Sequence, residues 1–177
     1  SVNVGKAQPI NAKSGQSGVY KQPVTTPVEI TPLGLEGDAI VDTQNHGGVD
    51  QAVYVFGATD YTWWSNELGY ELAPGTFGEN LTINEFASAE SRIGDRFHIG
   101  DVVLEITSPR IPCVTLATRM GDPNFIKRFA KAARPGVYCR VIEAGAVQAG
   151  TPVTFAPYQG ESVTAREMFR TFYARKH

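Results

Sequence analysis

The chain has 177 residues, a formal net charge of −2, 42% hydrophobic and 19% charged residues. These values fit one globular domain with room for a sizeable core. They exclude the basic excess of a duplex-tracking nucleic-acid binder and the long apolar run of a membrane-spanning helix. Two cysteines and no signal-like segment point to a reducing cytoplasm.

Charge is unevenly spread. From Gln22 to Ser91 there is no lysine or arginine, while 11 of the 18 acidic residues lie there. A bound anion is therefore expected to be held by Lys6, Arg110 and Arg134 together with backbone N–H groups.

In chain order, β-type runs are predicted at Val24–Ile30, Gln51–Phe56, Asn80–Ile83, Arg96–Ile99, Val102–Thr107, Gly136–Ile142 and Pro152–Phe155. Val102, Leu104 and Ile106 share one face at period 2, as do Val137, Cys139 and Val141. Gly37-Asp38, Gly47-Gly48, Gly94-Asp95, Gly100-Asp101 and Gly145 mark turns. Three helices interrupt the pattern. Thr59–Leu68 carries Tyr61, Trp64 and Leu68 on one stripe and stops at Gly69. Asn124–Ala133, capped by Asp122, buries Phe125, Phe129 and Ala133. Ala165–Arg175 opens with the capping box Thr164-x-x-Glu167 and has the apolar stripe Ala165, Met168, Phe169 and Phe172. The predicted fold is a mainly β barrel or sandwich with a few short α-helices.

Cys113 ends the run Pro109-Arg110-Ile111-Pro112-Cys113, directly after a predicted strand. Two prolines stiffen the backbone and remove two ladder donors, so the chain should leave the sheet there. Arg110, three residues away, favours the thiolate, the form that attacks electrophiles and binds metals. Cys113 is thus the leading functional residue, although a lone cysteine is often a small core residue. Cys139, on a strand's apolar face, reads as structural.

His46-Gly47-Gly48 follows the turn-rich Gly37 to Asp42 stretch, and its glycines allow close backbone approach to a ligand. Glu79 and Asn80 lie between a glycine loop and a strand, and on their own they read as an ordinary turn. His98 reads as a solvated strand residue, and His177 is terminal.

Seven segments in order resemble the MOSC family, named for the C-terminal domain of the molybdenum-cofactor sulfurase. They are Gly34–Asp38, His46–Gly48, Ala52–Tyr54, Gly75–Leu81, Ile93–Arg96, Pro109–Cys113 and Gly136–Tyr138. The resemblance implies a MOSC-like barrel over residues 1–157, followed by a C-terminal helical tail over 158–177. It implies molybdenum cofactor (molybdopterin) in a cleft, with Cys113 as sulfur ligand to molybdenum. Lys6 and Arg110 would contact its pterin or phosphate, and His46, Glu79 and Asn80 would line the cleft. Pyridoxal phosphate is associated with the family only in general terms.

The chain resembles the stand-alone bacterial members of the family, which handle 6-hydroxylaminopurine and related N-hydroxylated bases. The implied activity is reduction of such small molecules with Cys113 and His46 at the reacting centre. Electrons would come from a separate flavoprotein or haem protein, since the sequence has no dinucleotide-binding fingerprint. A sulfur carrier holding a persulfide on Cys113 and a non-catalytic molybdopterin-binding module are the alternatives. A hydrolytic cysteine–histidine pair fits less well, for want of an oxyanion loop. No nucleic-acid or membrane partner is expected. The tail helix is expected to be packed, with a homodimer as its favoured partner surface.

Overall fold

The structure is a computed structural model that describes residues 1–41 and 46–175, so Asp42 of the acidic turn and His177 lie outside the described residues. Its strands are β1 (Val2–Val4), β2 (Gln8–Pro9), β3 (Gln16–Ser17), β4 (Gln22–Val24), β5 (Val28–Thr31) and β6 (Gly34–Leu35). After these come β7 (Val53–Gly57), α1 (Ala58–Leu68), β8 (Leu81–Ile83), β9 (Arg96–Ile99), β10 (Val102–Pro109), α2 (Val114–Met120) and α3 (Phe125–Ala132). The chain closes with β11 (Val137–Glu143), β12 (Gly145–Val147), β13 (Val153–Ala156) and α4 (Ala165–Ala174).

Eight strands form one sheet in the order β13-β9-β10-β11-β7-β8-β1-β4, and β12-β5-β6 and β2-β3 form smaller sheets. The fold is therefore, among the described residues, sheet-rich with four α-helices. Among the described residues the large sheet has two ends, β13 and β4, with no closing pair between them. This pairing bears out the mainly β expectation and does not by itself establish the expected barrel. β7 and β8 run parallel, which requires a crossover connection, and α1 supplies it.

Alternation along the central strands builds two cores. Val53 and Val55 of β7, with Val137 and Cys139 of β11, enter an aliphatic core completed by Val102, Leu104 and Ile106. The intervening Tyr54, Phe56 and Tyr138 enter an aromatic core with Trp64, Phe77, Phe125, Phe129 and Phe169. The central strands are thus covered on both faces, the second face chiefly by helices. Cys139 is fully buried, and burial pushes its thiol well above the ordinary value. His98 is exposed between the buried Phe97 and Ile99.

Several boundaries differ from the sequence expectation for identifiable reasons. The run Val24–Ile30 is two strands in two sheets, because Pro27 has no N–H to donate. Asn124, not Asp122, is the N-cap of α3, and Asp122 Oδ1 instead accepts the Asn124 N–H at 2.8 Å. Leu68 is only partly buried, while Asp60 joins Tyr61 and Trp64 inside. Helix α2 has no counterpart in the expectation, since Val114 and Thr115 are weak helix formers.

The C-terminal tail docks on its own sheet. Ile93 N–H reaches Val163 O at 3.0 Å and Ala165 N–H reaches Ser91 O at 2.7 Å. The Thr164–Glu167 capping box is formed, and Ala165 and Phe169 are fully buried, whereas Met168 is 40% exposed. Among the described residues no helix is long and apolar enough to cross a membrane.

Phe169→Ala should cost about 3–5 kcal/mol, the range for emptying a buried aromatic site. Met168→Ala should change stability by under about 1 kcal/mol. Urea unfolding of both variants measures this, and similar costs would mean that the helix is anchored through another face.

Candidate functional site

Strand β10 ends at Pro109, and residues 110–113 leave the sheet without regular structure, as two prolines flanking Arg110 require. Cys113 is then the N-cap of α2 with extended backbone, φ −126° and ψ 172°. It is partly buried on the wall of a cavity of about 90 Å³ that His46, Tyr138, Arg110, Asn80, Asp38 and Lys21 also line.

Burial alone would raise the Cys113 thiol. A hydrogen bond from the His46 ring, the Arg110 charge and the Leu116 N–H outweigh it and bring the thiol down to about 6 from an ordinary 9.0. His46 is itself held by Tyr138, with Nδ1 and the Tyr138 hydroxyl 3.0 Å apart. Tyr138 lies on the face of β11 opposite Cys139, so the alternation that makes one residue core makes the other part of the site.

Arg110 is 5% exposed. Its Nη1 donates to the Phe77 carbonyl, and its guanidinium lies 4.9 Å from the centre of the Tyr54 ring. Nε has no hydrogen-bond partner, and no carboxylate among the described residues neutralises the charge. Burial opposes that charge, yet Tyr138, Tyr54 and Cys113 hold the guanidinium pKa above its ordinary value. A buried cation with an unused donor is costly unless something anionic meets it.

The second cation on the wall is already matched. Lys21 is 7% exposed, with Nζ 2.6 and 2.8 Å from the two oxygens of Asp38 and 3.0 Å from Gly18 O. Desolvation lowers the Lys21 pKa and Asp38 works against that. Asp38 also accepts from Gly5 N–H at 2.8 Å and from Asn80 Nδ2 at 2.9 Å, while Asn80 Oδ1 accepts from Tyr54 N–H at 3.0 Å.

Of the residues expected from sequence, Cys113, His46, Arg110 and Asn80 meet at this cavity. Glu79 is fully buried next to it rather than on its wall. Its Oε1 accepts from Tyr61 OH at 2.7 Å, Gly75 N–H at 2.7 Å and Thr82 Oγ1 at 2.8 Å. Lys6 is exposed after β1 and does not line the cavity. Arg134 is also elsewhere, with Nη1 3.1 Å from the fully buried Asp60 and its guanidinium over Trp63. Lys21, Tyr138 and Gln51 are wall residues that the sequence reading left out. Only for Tyr138 was a signal present, its place opposite Cys139 in an alternating strand.

This geometry can be set beside known proteins. The family model for the MOSC domain matches residues 42–154. The chain belongs to the MOSC domain family. It is 36% identical over 152 residues to YflK of Bacillus subtilis (strain 168), covering 85% of this chain and 69% of YflK. A Gibberella moniliformis (strain M3125 / FGSC 7600) protein named a reductase is 33% identical over 153 residues, 83% of this chain and 27% of its own length. YiiM of Escherichia coli (strain K12) is 29% identical over 141 residues, 77% of this chain and 62% of YiiM. The crystal structure of YiiM from Geobacillus stearothermophilus shares the fold with a TM-score of 0.79 at 24% identity, covering 99% of this chain and 83% of that one.

The two cysteines should differ sharply in reactivity. Thiolate at Cys113 is lost as pH falls through about 6, so iodoacetamide labelling should have its midpoint there. Cys139 should stay unlabelled in the folded protein, and His46→Ala should move the Cys113 midpoint upward. Peptide mass spectrometry across pH 4–10 checks all three, and a Cys113 midpoint near 9.0, the ordinary value, would mean that its neighbours do not act on it.

Proposed function

We propose that this MOSC protein is a molybdenum-cofactor-dependent reductase of N-hydroxylated compounds, with Cys113 as the protein ligand to the metal. The observation that carries this reading is the Cys113 thiol, brought down to about 6 and set between His46 and an Arg110 with no carboxylate partner among the described residues. The donor set supports it further. Among the described residues no group of three or more His, Cys, Asp or Glu could hold a metal ion by itself. One soft sulfur suits a metal that arrives with ligands of its own better than a four-ligand zinc. Arg110 Nε would bind an anionic part of the cofactor. Pyridoxal phosphate does not fit, since the lysine on the wall, Lys21, is locked to Asp38.

When bound, the molybdenum cofactor supplies two-electron cleavage of the N–O bond. The net change takes R–NHOH, two electrons and two protons to R–NH2 and water, with the electrons drawn from a separate flavoprotein or haem protein. His46 holds the thiolate by hydrogen bonding, and Tyr138 fixes the His46 ring. The reductase name of the Gibberella relative supports this reaction class. The thiolate that would ligate molybdenum would also accept sulfane sulfur, which keeps a persulfide carrier as the second reading.

Elemental analysis of protein purified from a cofactor-producing host separates the two. Near-stoichiometric molybdenum is expected in the wild type and in Cys139→Ser, with loss in Cys113→Ser. A folded Cys113→Ser protein with full molybdenum content would falsify the ligand assignment, and persulfide on Cys113 without molybdenum would favour the carrier. Arg110→Ala should weaken cofactor retention by about 1.5–3 kcal/mol, as for loss of a charge-assisted hydrogen bond. Lys6→Ala should leave retention unchanged. Equal retention by the Arg110 variant would place the anion elsewhere.

A further inference from the structure

The Cys113 cavity of about 90 Å³ lies well below the roughly 300–1,000 Å³ of sites that enclose a small organic ligand. Holding a cofactor of pterin size there requires one wall to give way. Several of the described walls are fixed. Tyr54 and Tyr138 lie on β7 and β11 inside the large sheet, Arg110 and Asn80 are buried, and Asp38 is tied to Lys21.

The wall formed by Ser14, Gln16 and Ser17 is built differently. These residues belong to the β2–β3 hairpin, which makes a sheet of its own. Its strands have two residues each, and Pro9 brings no N–H to its pairing with Gln16. A two-stranded hairpin is at best marginally stable by itself. Little else secures this one. Between residues 6 and 16 only Ile10 is buried, and it joins neither of the two cores. Among the described residues no hydrogen bond or ion pair ties residues 6–16 to the body of the protein.

The base of the hairpin is firmly held. Gly5 N–H donates to Asp38 Oδ1 at 2.8 Å, Ala39 N–H to Gly5 O at 2.8 Å, and Lys21 Nζ to Gly18 O at 3.0 Å. Gly5 and Gly18 also touch. A Cβ on Gly5 would lie 2.7 Å from Gly18 O, and one on Gly18 would lie 1.9 Å from Ala39 O. The two ends of the hairpin are thus pinned side by side, while the arm between them is held by one apolar side chain. That is the build of a hinged flap, in which a few residues at the base absorb the change in backbone angles.

We infer that the β2–β3 hairpin is a flap over the Cys113 cavity. It swings about Gly5 and Gly18, closing the cavity to about 90 Å³ and opening to admit a ligand as large as the molybdenum cofactor. The Lys21–Asp38 pair anchors the hinge and stays with the body. The identity of the ligand rests on the reading of Cys113 as the protein ligand to molybdenum, whereas the flap rests on the hairpin alone.

Cys113 reports on the flap, because a bulky thiol reagent reaches it only when the flap is open. Labelling rates at Cys113 with N-ethylmaleimide and with fluorescein maleimide, each divided by the rate for glutathione, are followed by peptide mass spectrometry. In the wild type the bulky reagent should lag at least tenfold, since its labelling tracks the open population when closing is fast. Replacing residues 8–16 by two glycines removes the arm and keeps the base, because Gly5 and Gly18 are already in contact. There the lag should all but vanish. Ile10→Ser should raise the fluorescein maleimide rate several-fold and leave the N-ethylmaleimide rate unchanged. Circular dichroism checks that each variant is folded, and either one suffices. A wild type with no lag, or a lag that a folded variant does not shorten, would overturn the inference. Molybdenum retained after gel filtration of loaded protein gives a second readout, with release expected at least tenfold faster once the arm is removed. Equal release would also overturn the flap. If the lag behaves as stated while the wild type carries no molybdenum, the flap stands and the cofactor reading fails.

Discussion

The buried carboxylate of Asp38 organises everything around the Cys113 cavity. It takes the Lys21 ammonium, the Gly5 N–H and the Asn80 amide, and Asn80 passes the restraint on to the Tyr54 N–H in β7. Lys21 in turn holds the Gly18 carbonyl, so the turn before β4 is drawn against the same wall. Removing one partner of such a buried pair leaves an uncompensated charge, an effect of about 3–5 kcal/mol. Its functional consequence is selective. Of the two buried cations on the wall, Asp38 neutralises Lys21, and Arg110 retains its charge for the thiol and for an anion.

The same economy explains the acid-rich, cation-free stretch from Gln22 to Ser91. Three of its carboxylates, Asp38, Asp60 and Glu79, are buried, and the cations that meet the first two, Lys21 and Arg134, come from outside it. Among the described residues Glu79 makes no ion pair. Three donors converge on its Oε1 while Oε2 stays without a partner, and burial raises its pKa despite them. By holding Gly75 N–H it steadies the turn whose Phe77 carbonyl receives Arg110. Glu79 therefore acts on the site through the backbone, as a positioning residue.

What could be read from the sequence follows from how local each signal is. Strands β9, β10 and β11 and helices α1 and α4 announced themselves through period-2 or helical spacing and through Gly69 and the Thr164–Glu167 box. The short strands β2, β3 and β6 have two residues each, too few to carry a period. Cys113 and Arg110 were legible from the proline-stiffened segment after β10, whereas His46 and Asn80 were placed at the cleft by the resemblance to the MOSC family. Lys6 and Arg134 were expected at the anion site because they are basic. A basic residue's sequence neighbours do not reveal whether a buried carboxylate such as Asp60 awaits it, and Lys21 was overlooked for the same reason.

The two cysteines show how far environment outranks residue type. Cys139 and Tyr138 are adjacent on β11, yet the pleat sends the thiol into aliphatic packing, where burial suppresses the thiolate, and sends the phenol to His46. Cys113 is also partly buried, but it sits past the end of a ladder where Pro109 and Pro112 bar further pairing, so side chains rather than strands surround it. Those side chains come from elements distant in sequence: His46 from the loop before β7, Arg110 from the end of β10, and Tyr138 from β11. The sheet brings them together because β10, β11 and β7 are consecutive neighbours in its order. A break in the β10–β11 register would turn Tyr138 to the other face, and His46 would lose its anchor before Cys113 lost its own backbone geometry.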